Sequence, residues 1–512
     1  MRHVRRLLPH ALQARPLSGL LLGLLVAVAT IAAQRPPLDA QSLSLGDENS
    51  WIRVQNVGDR GATVDVTLYD GNGNRVTGDS CPKTNACAAV PPGVGWSFFQ
   101  QGYEGLAPGY RGAAIVKSDQ PFVALQARDA FKGGQFQIDG DTMRLGRGSA
   151  GLAFPIVQNT DQYVSRLSIQ NASDTTEACV EVRYWAQGSG AVTVIDPPAP
   201  SGACPAGGTL LRPRATLVRD EQGLPVPLGF DGSAQVLTYD SASGSRASGQ
   251  TIVGTVDTRE RRGMGLGSKR GVAPEEQRQV VSLPLVERNI DAGGQIWNTR
   301  FRIMNARPGQ PNEVSLRYEG TGPNGERVSI DYKVAVISSI TCDQRASGIA
   351  GCLPTDQNLP PSFSGSVRLQ STNPIAVVAQ RTSSRGAFSD YRGFTVGEAA
   401  RQVVLPVLDK NFGPFGENQG WNSWFRVQSW DGAPAHVRVV YYARQFPAGL
   451  LREAFSAPEA MTVFQAADGG LPDGWVGSAI VISDQPIVVL VGVDSASFPG
   501  DTAMLYNGVG FD

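Results

Sequence analysis

Apolar and polar residues alternate in four similar segments of the chain, and this alternation predicts β-strands. In each segment two apolar residues flank a polar one: Ile52/Val54, Leu167/Ile169, Phe301/Ile303 and Phe425/Val427. A period of two places the apolar side chains on one face of a sheet. No stretch after residue 34 has the pattern of a long amphipathic helix. The sequence therefore predicts an all-β protein.

The four segments belong to a longer repeat. NSWIRVQ at 49–55 recurs as NSWFRVQ at 422–428, with SRLSIQN and TRFRIMN between them. A tyrosine follows thirteen residues after Asn56, Asn171, Asn305 and Ser429. A glycine later in each copy follows an aromatic residue by two positions: Gly112, Gly232, Gly365 and Gly477. These features predict four tandem immunoglobulin-like β-sandwich repeats after an N-terminal signal or anchor segment.

The predicted boundaries follow the repeat. A signal peptide or membrane anchor is predicted over 1–34, and the sandwich repeats are predicted over 41–147, 148–258, 280–398 and 400–512. Residues 259–279 contain RERRGMGLGSKRG, which is rich in glycine and charge, and we predict a flexible linker there.

Two details of the repeat leave alternatives open. The apolar residues of the next strand change parity between copies, with Val64 and Val437 at one parity and Val180 and Val314 at the other. A β-bulge or a turn that differs by one residue accounts for this equally well. The glycine after the aromatic residue either has positive φ or lies against that ring.

Shorter strings open and close most copies. Three copies open with an apolar string that contains proline: FPIV at 154, LPLV at 283 and LPVL at 405. Three copies close with a segment that begins at an aspartate: Asp141, Asp390 and Asp501. Because these aspartates recur with the repeat, we interpret them as structural.

These strings resemble tandem β-sandwich repeats of bacterial cell-surface proteins, of the kind found in Chloroflexi-type organisms. The resemblance rests on the LP-led strand, the strand ending in VQ, the aromatic-x-Gly strand, an SDQP turn and a terminal YNG, and it covers the chain from about Leu43. It implies an envelope or extracellular location. No activity is attached to such repeats, so it implies no functional residue.

The N-terminus has the parts of an export signal. Arg2, Arg5 and Arg6 precede an uncharged apolar run from Leu17 to Ala33. A cleaved signal peptide and an uncleaved anchor both fit, since the run of 17 residues is at the short limit of a membrane span. Membrane contact is therefore expected through residues 17–33 if they are retained, and not elsewhere.

Six cysteines agree with export, because an even number in an exported chain indicates disulfides. We predict local pairs: Cys81 with Cys87, Cys179 with Cys204 and Cys342 with Cys352. A zinc site is the alternative, but His436 is the single histidine after the apolar run and no CxxC motif occurs. We therefore predict no metal site and no cofactor.

The net charge and the histidine content argue against nucleic-acid binding and against histidine-based catalysis. The formal net charge is -1, so the sequence lacks the basic excess of a nucleic-acid-binding protein. A hydrolytic triad needs a base that titrates near neutrality, and His436 beside a strand is a poor candidate. We predict no catalytic residues and no enzyme.

Three aromatic residues of the fourth copy, Phe412, Phe415 and Trp430, have no counterpart in the other copies and are the candidates for a sugar platform. The leading hypothesis is an exported structural or adhesive envelope protein, a non-catalytic rod of four repeats with an unknown envelope protein or glycan as partner. The alternatives are a secreted carbohydrate- or other ligand-binding array and, more remotely, a carboxylate-based enzyme in one divergent repeat.

Overall fold

The structure is a computed structural model that describes residues 48–511, apart from short gaps at 84–86, 101–102, 133–134, 144–145, 147, 199–203, 205–206, 242, 247–249, 346–351, 354–358, 414–419, 458–459 and 496–497. The predicted signal or anchor segment 1–34 lies outside the described residues. Nearly all regular structure in the described part is β-strand, with short 3-10 turns at Pro274–Glu276, Val396–Glu398 and Gln465–Ala467. The all-β prediction is confirmed.

The first strand group, 48–142, consists of two antiparallel sheets. Its strands are β1 (Glu48–Asn56), β2 (Val64–Asp70), β3 (Arg75–Cys81), β4 (Gly95–Phe99), β5 (Gly112–Ser118), β6 (Phe122–Lys132) and β7 (Gln135–Thr142). One sheet has the order β7-β6-β1-β4 and the other β3-β2-β5. Val54 of β1, Val66 of β2 and Phe98 of β4 share one buried cluster, so the two sheets form a sandwich.

The second strand group, 151–270, contains nine strands. They are β8 (Gly151–Asn159), β9 (Tyr163–Asn171), β10 (Ala178–Ala186), β11 (Val194–Asp196), β12 (Thr209–Leu211), β13 (Thr216–Arg219), β14 (Phe230–Tyr239), β15 (Ile252–Glu260) and β16 (Leu266–Arg270). The opening strand β8 pairs with β14, which pairs with β10. In the other layer β9 lies between β13 and β15, and β16 pairs with β15.

The third strand group, 278–395, also contains nine strands. They are β17 (Arg278–Arg288), β18 (Ile290–Ala292), β19 (Gln295–Asn305), β20 (Asn312–Thr321), β21 (Arg327–Val336), β22 (Ser339–Asp343), β23 (Phe363–Ser383), β24 (Phe388–Arg392) and β25 (Phe394–Thr395). The long strand β23 serves both layers: its first half pairs with β17 and β20, and its second half pairs with β19 and β24.

The fourth strand group, 400–510, has the same plan. Its strands are β26 (Ala400–Lys410), β27 (Asn422–Ser429), β28 (Ala435–Ala443), β29 (Phe446–Ala457), β30 (Ala460–Phe464), β31 (Trp475–Asp494), β32 (Gly500–Asp501), β33 (Ala503–Asn507) and β34 (Val509–Gly510). The first half of β31 pairs with β26 and β28, and its second half pairs with β27 and β33. The short strand β32 instead pairs in parallel with β7 of the first group.

The pairing of the strands shows that the four tyrosines at the thirteen-residue spacing do not occupy equivalent positions. Tyr184, Tyr318 and Tyr441 pair with the residue two positions after the repeated glycine, and in the first group Leu68 has that position. Tyr69 and Tyr442, the tyrosines at the thirteen-residue spacing in the first and fourth groups, are therefore shifted by one residue from these positions. Counted between equivalent register positions, Leu68 follows Asn56 and Tyr441 follows Ser429 by one residue fewer than Tyr184 follows Asn171 and Tyr318 follows Asn305, so the turn-length explanation of the parity change is correct.

The predicted flexible linker contains a buried strand. Every residue of β16, Leu266–Arg270, is buried, and Lys269 is 1% exposed. The linker prediction is wrong for this part of 259–279, because the charges that suggested solvent exposure are paired with carboxylates of other strands and of the 3-10 turn that follows. Lys269 pairs with Asp139 and Asp390, and Arg270 pairs with Glu276.

The strand groups contact one another in a closed cycle. Arg128 of the first group pairs with Asp257 of the second, and Arg302 of the third donates to the carbonyl of Gly232 of the second at 2.7 Å. The fourth group contacts the third where Arg426 donates to the carbonyl of Pro284. Arg53 of the first group donates to the carbonyl of Gly477 of the fourth at 3.0 Å. The predicted rod is wrong, since the first and last groups of a rod do not touch.

Candidate functional site

Four strands, one from each group, meet at what we call the four-strand junction: β7, β16, β24 and β33. Among the described residues of their own groups, β16, β24 and β33 each pair with a single strand, which leaves the second edge of each without a strand partner there. A buried strand edge needs partners for its backbone N–H groups. At the junction, side-chain oxygens of the neighbouring groups supply these partners.

Asp501 joins three groups. Its two carboxylate oxygens accept hydrogen bonds from the backbone N–H of Phe388 at 2.7 Å and of Leu266 at 2.8 Å. Asp501 belongs to the fourth group, Phe388 to the third and Leu266 to the second. The side chain of Asp501 therefore fixes the first residues of β24 and β16, which belong to two other groups.

Asp139 and Asp141 of β7 act in the same way on the second group. Asp139 accepts from the backbone N–H of Ser268 at 2.6 Å, and Asp141 accepts from that of Arg270 at 3.2 Å. The two aspartates are two residues apart, so they lie on the same side of β7 and meet alternate N–H groups of β16. Asp141 also accepts from Nε of Arg392 at 3.0 Å.

Lys269 supplies the buried positive charge of the junction. Its Nζ lies 3.1 Å from a carboxylate oxygen of Asp390 and 3.3 Å from one of Asp139. It also donates to the carbonyls of Gly140 at 2.6 Å and Leu505 at 3.0 Å. A lysine in the interior is tolerated when its ammonium group has such acceptors. The side chain thus links all four groups.

Burial and charge pairing set the titration of these groups. Burial raises the pKa of Asp139 well above its ordinary value, although Lys269 acts in the opposite direction. Burial likewise raises the pKa of Asp390 and of Asp501. At Asp141 the attraction of Arg392, Lys269 and Arg270 outweighs burial, so its pKa is lowered. Within one closed interior, burial therefore raises the pKa of some carboxyls while neighbouring cations lower that of another.

The four-strand junction is a buried structural contact between the groups, and its carboxylates are closed to solvent. Asp139 and Asp501 are 0% exposed, and each accepts a hydrogen bond from a backbone N–H group of another strand group. Such carboxylates orient strands and do not face a space that a substrate can enter. This geometry agrees with the structural interpretation of Asp141, Asp390 and Asp501.

A cleft of about 1420 Å³ opens between the first and second groups, and we call it the β5 cleft. One wall is β5 with residues of β1 and β6, and the other wall is formed by β9 and β15. Among the described residues, β5 pairs with β2 alone, so its second edge faces this space. The residues that line the cleft include Ala114, Val116, Lys117, Ser168, Val253 and Thr255.

The β5 cleft lies where the first group differs from the others. The strands equivalent to β5 are covered by the opening strands β8, β17 and β26. The residue that faces β5 from the second group also differs. Where the other three groups have Arg53, Arg302 and Arg426, the second group has Ser168. Those arginines each donate to a backbone carbonyl of the adjacent group. Both the covering strand and the arginine are thus missing at this one interface, among the described residues.

The predicted aromatic platform is only partly described. Phe412 is 38% exposed, and Phe415 lies outside the described residues. Trp430 is 7% exposed and belongs to the same buried cluster as Val367 and Leu369. The guanidinium of Arg368 lies 4.9 Å from its ring centroid and donates to its carbonyl. The sugar platform stays a prediction, and Trp430 offers no open ring face for it.

The three predicted disulfides are present: Cys81–Cys87, Cys179–Cys204 and Cys342–Cys352. Each closes within its own strand group, where the cysteine sulfurs are buried in or beside the core. These bonds fit an extracellular location. No helix in the described part of the chain is long and apolar enough to cross a membrane.

Sequence reasoning missed Lys269, Arg392 and Asp139. Their signal was weak, because a lysine in a glycine-rich segment has the same appearance as a linker residue. The alternation of Asp139 and Asp141 in a strand beside an apolar core was a usable hint, since carboxylates at alternate positions face one side. Their partners lie more than a hundred residues away, so composition could not identify them.

Comparisons with known proteins give no family. No family model and no curated protein matches the chain. Solved structures with some similarity include a tetra-tandem repeat in the extending region of a large adhesion protein, at 13% identity over 90% of this chain and 94% of that one, with a TM-score of 0.10. Another is a structure of the Gx strain of infectious bursal disease virus, at 10% identity over 88% and 79%, with a TM-score of 0.09. Scores this low carry no argument.

Proposed function

We propose that this chain is an exported structural or adhesive protein of the cell envelope, without catalytic activity. The observation that carries the proposal is the four-strand junction, in which Lys269 and Asp501 tie all four strand groups into one body. Recurrent acidic residues are used for holding strands together. A protein whose four strand groups resist separation is suited to bear mechanical force outside the cell.

Two independent features support an extracellular location. The arginines and the apolar run from Leu17 to Ala33 have the pattern of an export signal. The three disulfides are stable in an oxidising compartment and rare in the cytosol. Together they support export, with an envelope protein or a glycan as partner.

The experiment is carried out in cells that make the protein. Antibodies against the chain should label intact cells, and external protease should remove that label. An in-frame deletion should reduce surface attachment or envelope integrity, and the wild-type gene should restore it. Reduced cysteines in a cytoplasmic fraction, or a deletion strain with normal attachment and envelope, would contradict the proposal.

A further inference from the structure

We propose that the β5 cleft binds an extended segment of a partner protein, which adds to the sheet as an antiparallel strand beside β5. The partner segment has an apolar residue, then proline, then two further apolar residues. This inference rests on the proposed adhesive function, for which it supplies the mode of attachment. The sequence expected of the partner segment is that of the opening strands, which pair with the equivalent strand edge in the other groups.

Those opening strands share one register. Phe154, Leu283 and Leu405 each pair with the residue two positions after the repeated glycine. Each of them directly precedes a proline. In the first group Ala114 has the equivalent position, two residues after Gly112. The cleft therefore has a defined place for the apolar residue before the proline of an incoming strand.

Burial shows which side chains an added strand would cover. The residues equivalent to Ala114 and Val116 are fully buried in the other groups: Ala234/Val236, Val367/Leu369 and Ala479/Val481. Ala114 and Val116 themselves are only partly buried, although they belong to the same sandwich face. An added strand would bury them and remove apolar surface from water.

The edge of β5 supplies the directional part of binding. A sheet edge presents a row of N–H and C=O groups, and an extended peptide that pairs with it gains main-chain hydrogen bonds. The seven residues of β5, Gly112–Ser118, are long enough for such a pairing. Ser168 in place of an arginine leaves room on the facing wall. Sequence preference then comes from the apolar positions that meet Ala114 and Val116.

The test uses the full chain and a labelled peptide with the sequence of residues 400–410, ARQVVLPVLDK, which is this protein's own example of a covering strand. Fluorescence anisotropy should show saturable binding. A matched peptide with aspartate in place of the leucine before proline should bind at least about tenfold more weakly, because a buried leucine contributes that factor or more. Hydrogen exchange should show new protection in residues 113–117 when the peptide is bound.

A chain variant gives the second arm. Ala114→Arg places a long charged side chain at the proposed contact and should reduce peptide affinity at least about tenfold. Ala433→Arg changes an exposed residue of the fourth group outside the cleft and serves as the control, with affinity near wild type. Unchanged melting temperatures establish that both variants fold. If Ala114→Arg lowers the melting temperature, peptide-induced protection in the wild-type chain decides the question.

Three results would overturn the proposal. One is the absence of peptide binding, and another is binding that leaves the exchange of residues 113–117 unchanged. The third is full protection of β5 in the chain without peptide: if protection is lost on dilution, the edge is covered by a second copy, and if it persists, by the same chain. None of these results affects surface labelling or the deletion phenotype, so failure of this inference is distinguishable from failure of the proposed function.

Discussion

The backbone of Gly477 lies against the indole ring of Trp475: a Cβ built on Gly477 would stand 2.3 Å from Cζ2 of Trp475 and 2.2 Å from the carbonyl oxygen of Tyr442. Trp475 is 1% exposed, so the ring cannot move away. The glycines at 112, 232 and 365 have the same crowded contact with the ring two residues earlier. None of the four has a φ in the left-handed region, so close approach explains the motif.

Replacement of Gly477 should therefore destabilise the protein through overpacking. We expect Gly477→Val to lower the free energy of unfolding by about 1–3 kcal/mol, since neither the ring nor the backbone carbonyl can yield. Gly469→Val is the matched control, because a Cβ at Gly469 meets nothing within 4 Å. Thermal unfolding followed by tryptophan fluorescence makes the comparison. Equal melting temperatures for the two variants would show that the motif does not depend on this contact.

Replacement of Lys269 should lower the free energy of unfolding more than replacement of Gly477. Lys269→Met keeps the volume but leaves Asp139 and Asp390 without their cation, and removing one partner of a buried ion pair costs about 3–5 kcal/mol. Lys83→Met removes a cation whose side chain is 60% exposed and should cost less than about 1 kcal/mol. Denaturant unfolding of both variants checks this prediction. A Lys269 variant as stable as the Lys83 variant would refute the role assigned to the junction.

Stability should decrease between pH 5 and pH 8 because of Asp409. Burial raises the pKa of Asp409 to about 7, against the opposing attraction of Arg53. The folded state holds this proton more tightly than the unfolded state, whose carboxyl has a pKa of 3.8. The stabilisation is thus complete below that ordinary value and is lost as the pH rises through about 7.

Asp409→Asn should reduce this decrease, by an amount on the order of 2–4 kcal/mol. Asp119→Asn is the control, because a hydrogen bond donated by the backbone of Thr63 lowers the pKa of Asp119 from its ordinary value of 3.8. Denaturant midpoints at pH 5 and pH 8 give the result. An identical pH dependence for wild type and Asp409→Asn would exclude Asp409 as the cause.

Removal of the disulfides should have graded effects. Cys179–Cys204 closes a loop with a separation of 25 residues, and chain entropy assigns such a crosslink about 3 kcal/mol. Cys81–Cys87 spans 6 residues and should contribute less, about 2 kcal/mol. Double alanine variants, compared by denaturant unfolding, test the order. A larger loss for the shorter loop would mean that local packing, not loop closure, dominates.

The features that the sequence predicts correctly are those formed between residues close together along the chain. Strand alternation at Ile52/Val54 and the local pairing of Cys342 with Cys352 involve neighbours along the chain, and both were predictable. The thirteen-residue spacing of Tyr69 misled, because a turn shorter by one residue moved it out of register with Tyr184. Lys269 was misinterpreted because its partners come from distant segments.

The closed cycle was equally inaccessible to sequence patterns. Arg53 occupies a strand position that alternation marks as polar, which is normally a solvent-facing position. It is buried because it reaches the carbonyl of Gly477, 424 residues away. A polar residue that recurs at the same strand position, as Arg302 and Arg426 do, is the pattern that can indicate such an interface in other repeat proteins.

Scanning calorimetry of the full chain measures most directly whether the four strand groups behave as one body. The junction and the pairing of β32 with β7 link every group to its neighbours, so unfolding of one exposes buried charges of the others. We expect a single transition in which the van't Hoff and calorimetric enthalpies agree, with a ratio of about one. Several resolved transitions, or a van't Hoff enthalpy of about a quarter of the calorimetric value, would show that the groups unfold independently and would contradict the closed, cooperative assembly.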